Sequence, residues 1–406
     1  MTPASGSAAG RQASPTASLI ERVDPDRLLR SAMALIELPS PSGQEGAVAE
    51  RYASLLRDNG LESTLDRAFP ESPTVIARLH GAADGPTLQF EGHTDTVAQP
   101  HPPPRFENGQ LYGRGAADMK AGLAAMAEAA RVLAEAGRPF RGQLLLTAHG
   151  QHEDPVAPHE LHAPLFDLFR RRLVGDAAVI AEGPGHEMVV AGLGLCVFDV
   201  AFERDGEPVH EIPWRDTVPN PILAGHRFLH LLEQRAAGWR SAADSLLGPE
   251  TAFVGVFEAG DYFNRIPTRC RLAGSRRYPA ERSYAEVAAE LSALAEEAAG
   301  PGLRAMVSTR PSGQGFRLEP ETPIVGVVSR AYHQVVGRDL PLAGMALIGN
   351  ASQFNTVARV PTVYHGVDQR TAHSGLEHVA LSDVVRTARV LLASALDYLA
   401  AEATDA

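Results

Sequence analysis

The chain has 406 residues, enough for two or three domains of ordinary size. Its 37 basic and 49 acidic side chains give a formal net charge of −12, so we expect no nucleic-acid partner and no anionic membrane surface as partner. Hydrophobic residues make up 44% of the chain and charged residues 21%, which predicts a sizeable core rather than global disorder.

The apolar residues and the cysteines exclude further classes. No apolar run approaches the roughly 18 residues of a membrane helix, so we expect no membrane-spanning segment. Cys196 and Cys270 are too few for a disulfide framework or a four-thiolate metal site, so a metal would need His and carboxylate ligands. Residues 1–18 are rich in Ser, Ala, Gly and Pro without an apolar signal region, which predicts a disordered tail and a cytoplasmic protein.

Helical and extended segments alternate from residue 19 to residue 193. The pattern predicts helices at 24–36, at 43–59 and in a stretch ending near 137, and strands at 73–80, 86–92, 143–148 and 177–181. In the third helix Leu123, Met126, Ala130 and Leu133 recur at steps of three and four, as one buried helix face requires. Strands separated by helices predict a mostly parallel sheet that is covered by helices on both faces.

The rhythm changes after residue 193. Strands are predicted at 195–203, 253–258, 269–274 and 303–309, and helices at 219–235 and 283–299. This β-α-β-β-α-β order predicts a separate domain inserted at residues 194–312. The first domain then resumes over residues 313–406, with helices at 323–336 and from 382 onward and strands at 346–348 and 362–364. The fold class is therefore α/β, with an inserted second domain.

Four side chains of metal-ligand type stand at predicted strand or helix ends of the first domain. His93 shares one strand face with Asp95, Asp118 precedes a helix, Glu182 ends a strand, and His373 precedes the last helix. Each alone is typical of ordinary structure, such as a helix N-cap for Asp118. Together, at the strand ends where open α/β sheets carry ligand sites, they indicate a metal site.

Two motifs carry a resemblance to a known family, and two weaker segments support it. The motifs are Glu91-Gly92-His93-Thr94-Asp95-Thr96-Val97 and Gly113-Arg114-Gly115-Ala116-Ala117-Asp118-Met119-Lys120, and the supporting segments are Glu182-Gly183-Pro184 and Ala372-His373-Ser374-Gly375-Leu376-Glu377. The chain after the tail resembles the zinc amidohydrolases and peptidases of peptidase family M20. That family includes acetylornithine deacetylase, succinyl-diaminopimelate desuccinylase, aminoacylase-1 and carboxypeptidase G2. The resemblance makes the first domain catalytic and the inserted domain a lid.

The resemblance implies a pair of metal ions in the catalytic domain. His93 and Glu182 would hold one ion and His373 the other, with Asp118 bridging the two and Asp95 orienting the His93 ring. Two Zn²⁺ ions per subunit are expected, with Co²⁺ or Mn²⁺ as alternatives. The resemblance also implies a cis peptide bond between Asp118 and Met119.

The sequence departs from the family where a Glu-Glu pair normally supplies the general base and a metal ligand. The segment after the predicted strand 143–148 is His149-Gly150-Gln151-His152-Glu153-Asp154. Three alignments remain open. With His152-Glu153 in the place of the pair, Glu153 is the ligand and His152 the base; with Glu153-Asp154, both carboxylates survive; with Gly150-Gln151, both functions are lost. We favour the first, because an imidazole titrates near the operating pH. One of the nearby residues His149, His159 and His162 is a further alternative ligand.

The inserted domain contains further matches to the family. His210 resembles the lid histidine that stabilises the oxyanion, and it commonly comes from the partner subunit, which implies a homodimer. Asn220 and Asn264 match substrate-contacting residues. Arg277 matches an arginine that binds a carboxylate, a role suited to a planar guanidinium.

The resemblance implies a zinc-dependent hydrolase of an amide bond next to a free carboxylate. The substrate would be an N-acyl amino acid or a small dipeptide, attacked by metal-activated water, with Asp95, His152, Glu153 and His210 as catalytic residues. One alternative keeps the scaffold but uses the altered base for acyl transfer, condensation or another metal-assisted step. Another alternative is a non-catalytic homologue.

Overall fold

The computed structural model describes residues 15–154, 163–214, 216–241 and 243–400. Most of the predicted tail, and also His159 and His162, lie outside these residues. Residues 15–18 of the predicted tail belong to a short helix, Pro15–Ile20. Within the described ranges, none of the helices combines the length and apolar character that crossing a membrane requires.

The helices of the described residues are numbered in chain order. They are α1 (Pro15–Ile20), α2 (Pro25–Ile36), α3 (Gly46–Asp58), α4 (Lys120–Glu135), α5 (Ala163–Arg170), α6 (Glu211–Trp214), α7 (Pro221–Ser241), α8 (Tyr284–Ala299), α9 (Pro323–Val336), α10 (Asn350–Gln353) and α11 (Leu381–Tyr398). A π-helical turn, Phe354–Ala358, follows α10 directly.

The strands are numbered in the same way. They are β1 (Glu62–Asp66), β2 (Thr74–His80), β3 (Ala83–His93), β4 (Arg105–Glu107), β5 (Gln110–Tyr112), β6 (Arg141–His149), β7 (Ala177–Gly183), β8 (Met188–Gly192), β9 (Gly194–Glu203), β10 (Val209–His210), β11 (Thr251–Ala259), β12 (Arg265–Ile266), β13 (Arg269–Tyr278), β14 (Arg304–Gly313), β15 (Phe316–Arg317), β16 (Leu342–Met345), β17 (Thr362–Asp368) and β18 (His378–Ala380).

The chain divides into two compact units. Of the described residues, unit 1 contains those up to 188, those from 323 to 341 and those from 363 onward, and unit 2 contains those from 189 to 322 and from 342 to 362. The predicted insertion at 194–312 falls within unit 2, which also takes in the later segment 342–362.

The central sheet of unit 1 positions three strand ends side by side. Its strands run in the order β1-β2-β6-β3-β7-β17. β3 pairs in parallel with β6, up to the pair His93 and His149, and in parallel with β7. β1 and β2 extend the sheet on one side through antiparallel pairing. With helices such as α4 packed on it, the sheet confirms the predicted α/β class with a mostly parallel sheet flanked by helices.

Unit 2 has its own antiparallel sheet with the strand order β11-β13-β9-β14. The long elements follow along the chain as β9, α7, β11, β13, α8 and β14, the order that the sequence analysis derived. Alternate residues of β9, such as Phe198 and Phe202, are buried in one cluster with Phe228 of α7 and Leu291 of α8. Every second side chain of β9 therefore packs against the two helices, and together they form a hydrophobic core within this unit.

One predicted strand is wrong. Residues 346–348 form a bend and a loop, and the strand lies just before them, at β16. The backbone N–H of Leu193 donates to the carbonyl of Met345, and Leu347 is 60% exposed. The apolar run from Leu342 to Ile348 does not by itself indicate which of its residues find a pairing partner.

Candidate metal centre

The three neighbouring parallel strands of unit 1 end at one edge of the sheet, and side chains of metal-ligand type stand there. β3 ends at His93, β7 carries Glu182 near its end, and Glu153 follows β6 after a short turn. Asp118 lies just before α4, and His373 lies in the loop between β17 and β18. The carboxyl edge of a parallel sheet is where open α/β folds place ligand sites.

His93 is fully buried and faces two carboxylates with one ring nitrogen. Its Nε2 lies 3.0 Å from Asp118 Oδ1 and 3.4 Å from Glu182 Oε2. Although burial opposes the charged form, hydrogen bonds to Asp118, Asp95 and Glu182 raise the pKa of His93 well above its ordinary value. The arrangement thus concentrates negative charge around one imidazole nitrogen.

His373 faces a second pair of carboxylates. Its Nε2 lies 3.2 Å from the other oxygen of Asp118, Oδ2, and 3.1 Å from Glu153 Oε1. Hydrogen bonds to Asp118 and Glu153 raise the pKa of His373 to about 10. Asp118 therefore offers one oxygen to each of two imidazoles, which is how a bridging carboxylate is placed.

The donor set fits divalent cations. Nδ1 of His93 lies 3.0 Å from the carbonyl oxygen of Asp95, which only accepts, so Nδ1 carries a proton. Unless Nε2 is protonated as well, its lone pair faces the carboxylate oxygens of Asp118 and Glu182. A cation between these atoms removes that conflict. Ligand atoms at about 2.0 Å from a tetrahedral zinc lie about 3.3 Å apart, close to the separations observed here.

The turn after β6 brings His152 and Glu153 to this cluster. The ring of His152 stacks on that of His93, with centroids 4.2 Å apart and planes 15° apart. The side chain of Glu153 is 8% exposed and contacts His373, whereas Asp154 is exposed. Gln151 turns away and donates from Nε2 to Ser72. Of the residues in the three open alignments, His152 and Glu153 are thus the pair that contacts His93 and His373.

Two ligand sets of three residues emerge from the described part of the chain. One contains His93, Asp118 and Glu153, and the other contains His93, His152 and Glu182. The second set shows that His152, too, could donate a ligand nitrogen. His149, another expected alternative, instead contacts Glu91 at 3.4 Å and the carbonyl of Gly150 at 2.8 Å.

Asp95 does more than the sequence analysis assigned to it. Its Oδ1 lies 3.4 Å from Nδ1 of His93, in keeping with an orienting role. Its Oδ2 accepts hydrogen bonds from the backbone N–H groups of His152, at 2.9 Å, and Glu153, at 2.8 Å. The carboxylate of Asp95 therefore holds both the ring of one candidate ligand and the backbone of another.

The candidate residues of unit 2 form a group of their own. Nε2 of His210 lies 3.1 Å from the side-chain nitrogen of Asn264. Asn220 accepts the backbone N–H of Ile222 at the start of α7, at 3.0 Å. Asn220 and Asn264 both line a cavity of about 700 Å³ within this unit.

Arg277 is distinguished from its neighbour by its surroundings. Arg276 is fully buried, pairs with Glu250, and lies over the ring of Trp239 at 3.5 Å. Arg277 donates one hydrogen bond, at 2.6 Å, to the carbonyl of Ala346. Arg276 is thus committed to the core of unit 2, and Arg277 keeps N–H donors for another acceptor.

The comparison with family sequences decides the relationship. The sequence model of peptidase family M20/M25/M40 matches residues 89–397. The chain belongs to this peptidase family. This match confirms the expected resemblance. The M20 chain is therefore a hydrolase.

Relatives of the M20 chain extend over nearly its whole length. A succinyl-diaminopimelate desuccinylase of Methylobacterium radiotolerans is 27% identical over 382 residues, covering 89% of this chain and 94% of the relative. An N-formyl-4-amino-5-aminomethyl-2-methylpyrimidine deformylase of Bacillus subtilis is 24% identical over 411 residues, covering 90% and 93%.

Solved structures share the fold of the M20 chain. Aminopeptidase PepT of Bacillus cereus superposes with a TM-score of 0.78 at 23% identity, covering 93% of this chain and 100% of its own. A Bacillus subtilis protein described as a dinuclear metal binding peptidase from the M20 family has a TM-score of 0.70 at 16% identity, covering 92% and 98%.

Sequence reasoning missed residues that support the candidate ligands of the M20 chain. Glu377 accepts the backbone N–H groups of Ala117 and Asp118, at 2.9 and 3.0 Å, and pairs with Arg114. Gln369 donates to Glu182 at 3.1 Å. Glu377 stands in a segment that resembles the family, but its contact with the Asp118 loop joins residues far apart in sequence. The Asp118–Met119 peptide bond is cis, as the resemblance implies.

Proposed function

We propose that this M20 hydrolase uses two divalent cations to cleave an amide bond next to a free carboxylate. The proposal depends above all on the position of Asp118. One of its carboxylate oxygens faces His93 and the other faces His373. A carboxylate shared in this way offsets the repulsion between neighbouring cations. N-acyl amino acids and small dipeptides are the substrate class.

The proposed ligands divide into two sets. His93, Glu182 and Asp118 would hold one cation, and His373, Glu153 and Asp118 the other. Zn²⁺ is the cation we propose, because imidazole and carboxylate ligands suit it. When bound, such a pair supplies Lewis acidity, which polarises an amide carbonyl and acidifies a water molecule.

The proton transfer is assigned to His152. Its ring lies against His93 at the edge of the cluster, and an imidazole ring nitrogen can both accept and donate a proton. As a base it takes a proton from the attacking water, and as an acid it returns the proton to the leaving nitrogen. Glu153 then serves as a ligand, and Asp95 orients both residues through their backbone N–H groups.

The amide substrate is supported by the relatives. The names desuccinylase and deformylase both describe removal of an acyl group. For unit 2 we propose that Arg277 binds the substrate carboxylate, that Asn220 and Asn264 contact the substrate, and that His210 stabilises the oxyanion. We also propose a homodimer formed through this unit, as the resemblance implies.

The test is turnover by the purified full chain loaded with Zn²⁺, Co²⁺ or Mn²⁺. N-acetyl and N-succinyl amino acids and a panel of dipeptides are incubated with it, and both products are quantified by mass spectrometry. We expect a free acid and a free amine in equal amounts. Transfer of the acyl group to an added amine would instead indicate the acyl-transfer alternative. Absence of any amide cleavage by the two-cation protein contradicts the proposal.

A further inference from the structure

The turn of residues 151–154, which carries His152 and Glu153, is held by a loop of the chain that the sequence motifs do not include. This loop contains Ser42 and Glu45 and lies between α2 and α3. Both of its polar side chains reach the turn. Ser42 and Glu45 form hydrogen bonds to the turn from two different sides.

Ser42 holds the turn from the side of Asp95. Its hydroxyl donates to Asp95 Oδ2 at 2.6 Å, the same oxygen that accepts the N–H groups of His152 and Glu153. The hydroxyl oxygen also accepts the backbone N–H of Asp154, at 3.1 Å. A hydroxyl does both because it is donor and acceptor at once.

Glu45 holds the turn from the other side. It is fully buried, and its Oε1 accepts the backbone N–H of Gln151 at 3.0 Å. Its Oε2 accepts the hydroxyl of Ser72 at 2.8 Å, and Ser72 in turn accepts Nε2 of Gln151 at 3.0 Å. Backbone and side chain of Gln151 are thus both fixed by one carboxylate and one serine.

The conformation held in this way is an unfavourable one. Gln151 has a backbone φ of 60°, in the left-handed region that residues other than glycine rarely adopt. Gly150 packs so closely that a Cβ added there would lie 2.5 Å from Oε1 of Glu45. Such a backbone persists only where its surroundings determine it strongly, and such sites occur near function.

We propose that Ser42 and Glu45 are positioning residues of the metal centre, which hold the 151–154 turn so that Glu153 meets His373 and His152 meets His93. This inference rests on the proposed function, since it gives the turn its purpose. Neither residue touches the candidate ligands of the first set, His93, Asp118 and Glu182. Ser42 reaches His93 only through Asp95, whereas the turn that carries Glu153 is held directly, so we expect the larger effect on the second cation.

The test compares Ser42→Ala with Ser40→Ala, two serines of the same loop. Ser40 donates to the carbonyl of Thr94 at 2.8 Å and has no hydrogen bond to the turn, so it is the matched control. The metal-free full chain is titrated with Co²⁺ alone, and the visible absorption of each bound ion is followed. We expect Ser42→Ala to weaken the second ion about tenfold, as loss of a supporting hydrogen bond typically does. We expect Ser40→Ala to leave both affinities unchanged.

Two further variants separate positioning from general stability. Ser42→Thr retains the hydroxyl and is expected to restore the second site. Gly150→Ala pushes against Glu45 without altering any candidate ligand, and is expected to weaken the same site. Hydrogen exchange of the metal-free protein should show faster exchange of the His152 and Glu153 amides in Ser42→Ala than in Ser40→Ala.

The outcomes are distinct. Equal affinity for the second ion in Ser42→Ala and Ser40→Ala, or equal amide exchange, overturns the positioning role while leaving the metal centre intact. Equal weakening of both ions, with no rescue by Ser42→Thr, also overturns it. Failure of the unsubstituted chain to bind Co²⁺ overturns the proposed function itself.

Discussion

Asp118 connects the two halves of the candidate centre, and its own position depends on groups distant in sequence. Each of its oxygens faces a different imidazole, those of His93 and His373. The backbone N–H of Asp118 is fixed by Glu377, which also accepts the N–H of Ala117. Hydrogen bonds to both imidazoles, acting against burial, hold the pKa of Asp118 well below its usual range. The residue is therefore kept in the ionised form that a bridging ligand requires.

The alignment of the segment after β6 can be tested residue by residue. We expect Glu153→Ala to lose one of two bound cations, because Glu153 contacts His373 directly. We expect His152→Ala to retain metal but to lower kcat by about 10²–10⁴-fold, the usual contribution of a general acid or base. Metal analysis and steady-state kinetics on the same preparations give both numbers.

Asp154→Ala is the matched control, because Asp154 is exposed and its backbone N–H, which donates to the hydroxyl of Ser42, is retained in alanine. It should retain both cations and its kcat. Loss of a cation in Asp154→Ala would show that Glu153-Asp154 replaces the Glu-Glu pair instead.

A histidine outside the metal centre determines part of the pH dependence of stability. His365 in β17 is fully buried, with its Nδ1 3.1 Å from the carbonyl of Glu187 and its ring against Tyr332. Burial, together with the charge of Arg386, lowers its pKa to about 3. As the pH falls through about 6.5, His365 therefore takes up a proton in the unfolded chain but stays neutral in the folded chain.

We expect this proton to destabilise the folded chain by about 2 kcal/mol at pH 5 relative to pH 7. The free energy of unfolding of each protein is measured with urea at pH 7 and at pH 5. Its decrease should be larger in the wild type than in His365→Gln by this amount. Of the neighbouring groups, His186 and Arg386 stay unchanged in both proteins, so they cancel in the comparison. Equal losses for the two proteins would rule the assignment out.

Among the elements, α4 determines how closely the Asp118 loop approaches the sheet. Its residues from Lys120 to Leu133 are buried, so the helix lies inside unit 1 rather than on its surface. Gly122 allows a close contact, since a Cβ there would lie 2.3 Å from the carbonyl oxygen of Ala181 in β7. Glu182 follows Ala181 directly, so this contact couples the helix to one candidate ligand.

We therefore expect Gly122→Ala to destabilise the protein by about 2 kcal/mol, because overpacked cores typically lose about 1–3 kcal/mol. Gly46, the first residue of α3, has no atom within 4 Å of an added Cβ and serves as the control. Gly46→Ala should be neutral or stabilising by up to about 1 kcal/mol. Chemical unfolding of both variants measures the difference, and equal stabilities would contradict the close contact.

At the scale of the whole molecule, the candidate ligands come from positions between 93 and 373, so a bound cation ties distant segments together. A ligand that binds only the folded state stabilises it, by about 2.7 kcal/mol per site at about 100 times its Kd. We expect Zn²⁺ to raise the Tm of the metal-free protein and EDTA to reverse the rise. Asp118→Asn should show no such rise, and a full rise in that variant would exclude Asp118 as the shared ligand.

Much of the architecture could be predicted from local patterns. The spacing of apolar residues predicted α4 and α11, and the alternation of helical and extended segments predicted α7, α8 and the long strands of both units. The short strands β15 and β16 and the bend at 346–348 could not be predicted. Their positions depend on which backbone groups find a partner in another part of the chain.

The sequence by itself determined the fold class and the family and indicated His93, Asp118, Glu182 and His373 as candidate ligands, because strand and helix periods and short motifs are contained in adjacent residues. Only the tertiary structure decided which carboxylates meet which imidazoles, and that His152 and Glu153 rather than Asp154 face the centre. It also decided that Ser42, Glu45 and Glu377 hold the backbone there. Those contacts join residues dozens to hundreds of positions apart, and no local pattern encodes the distance between them.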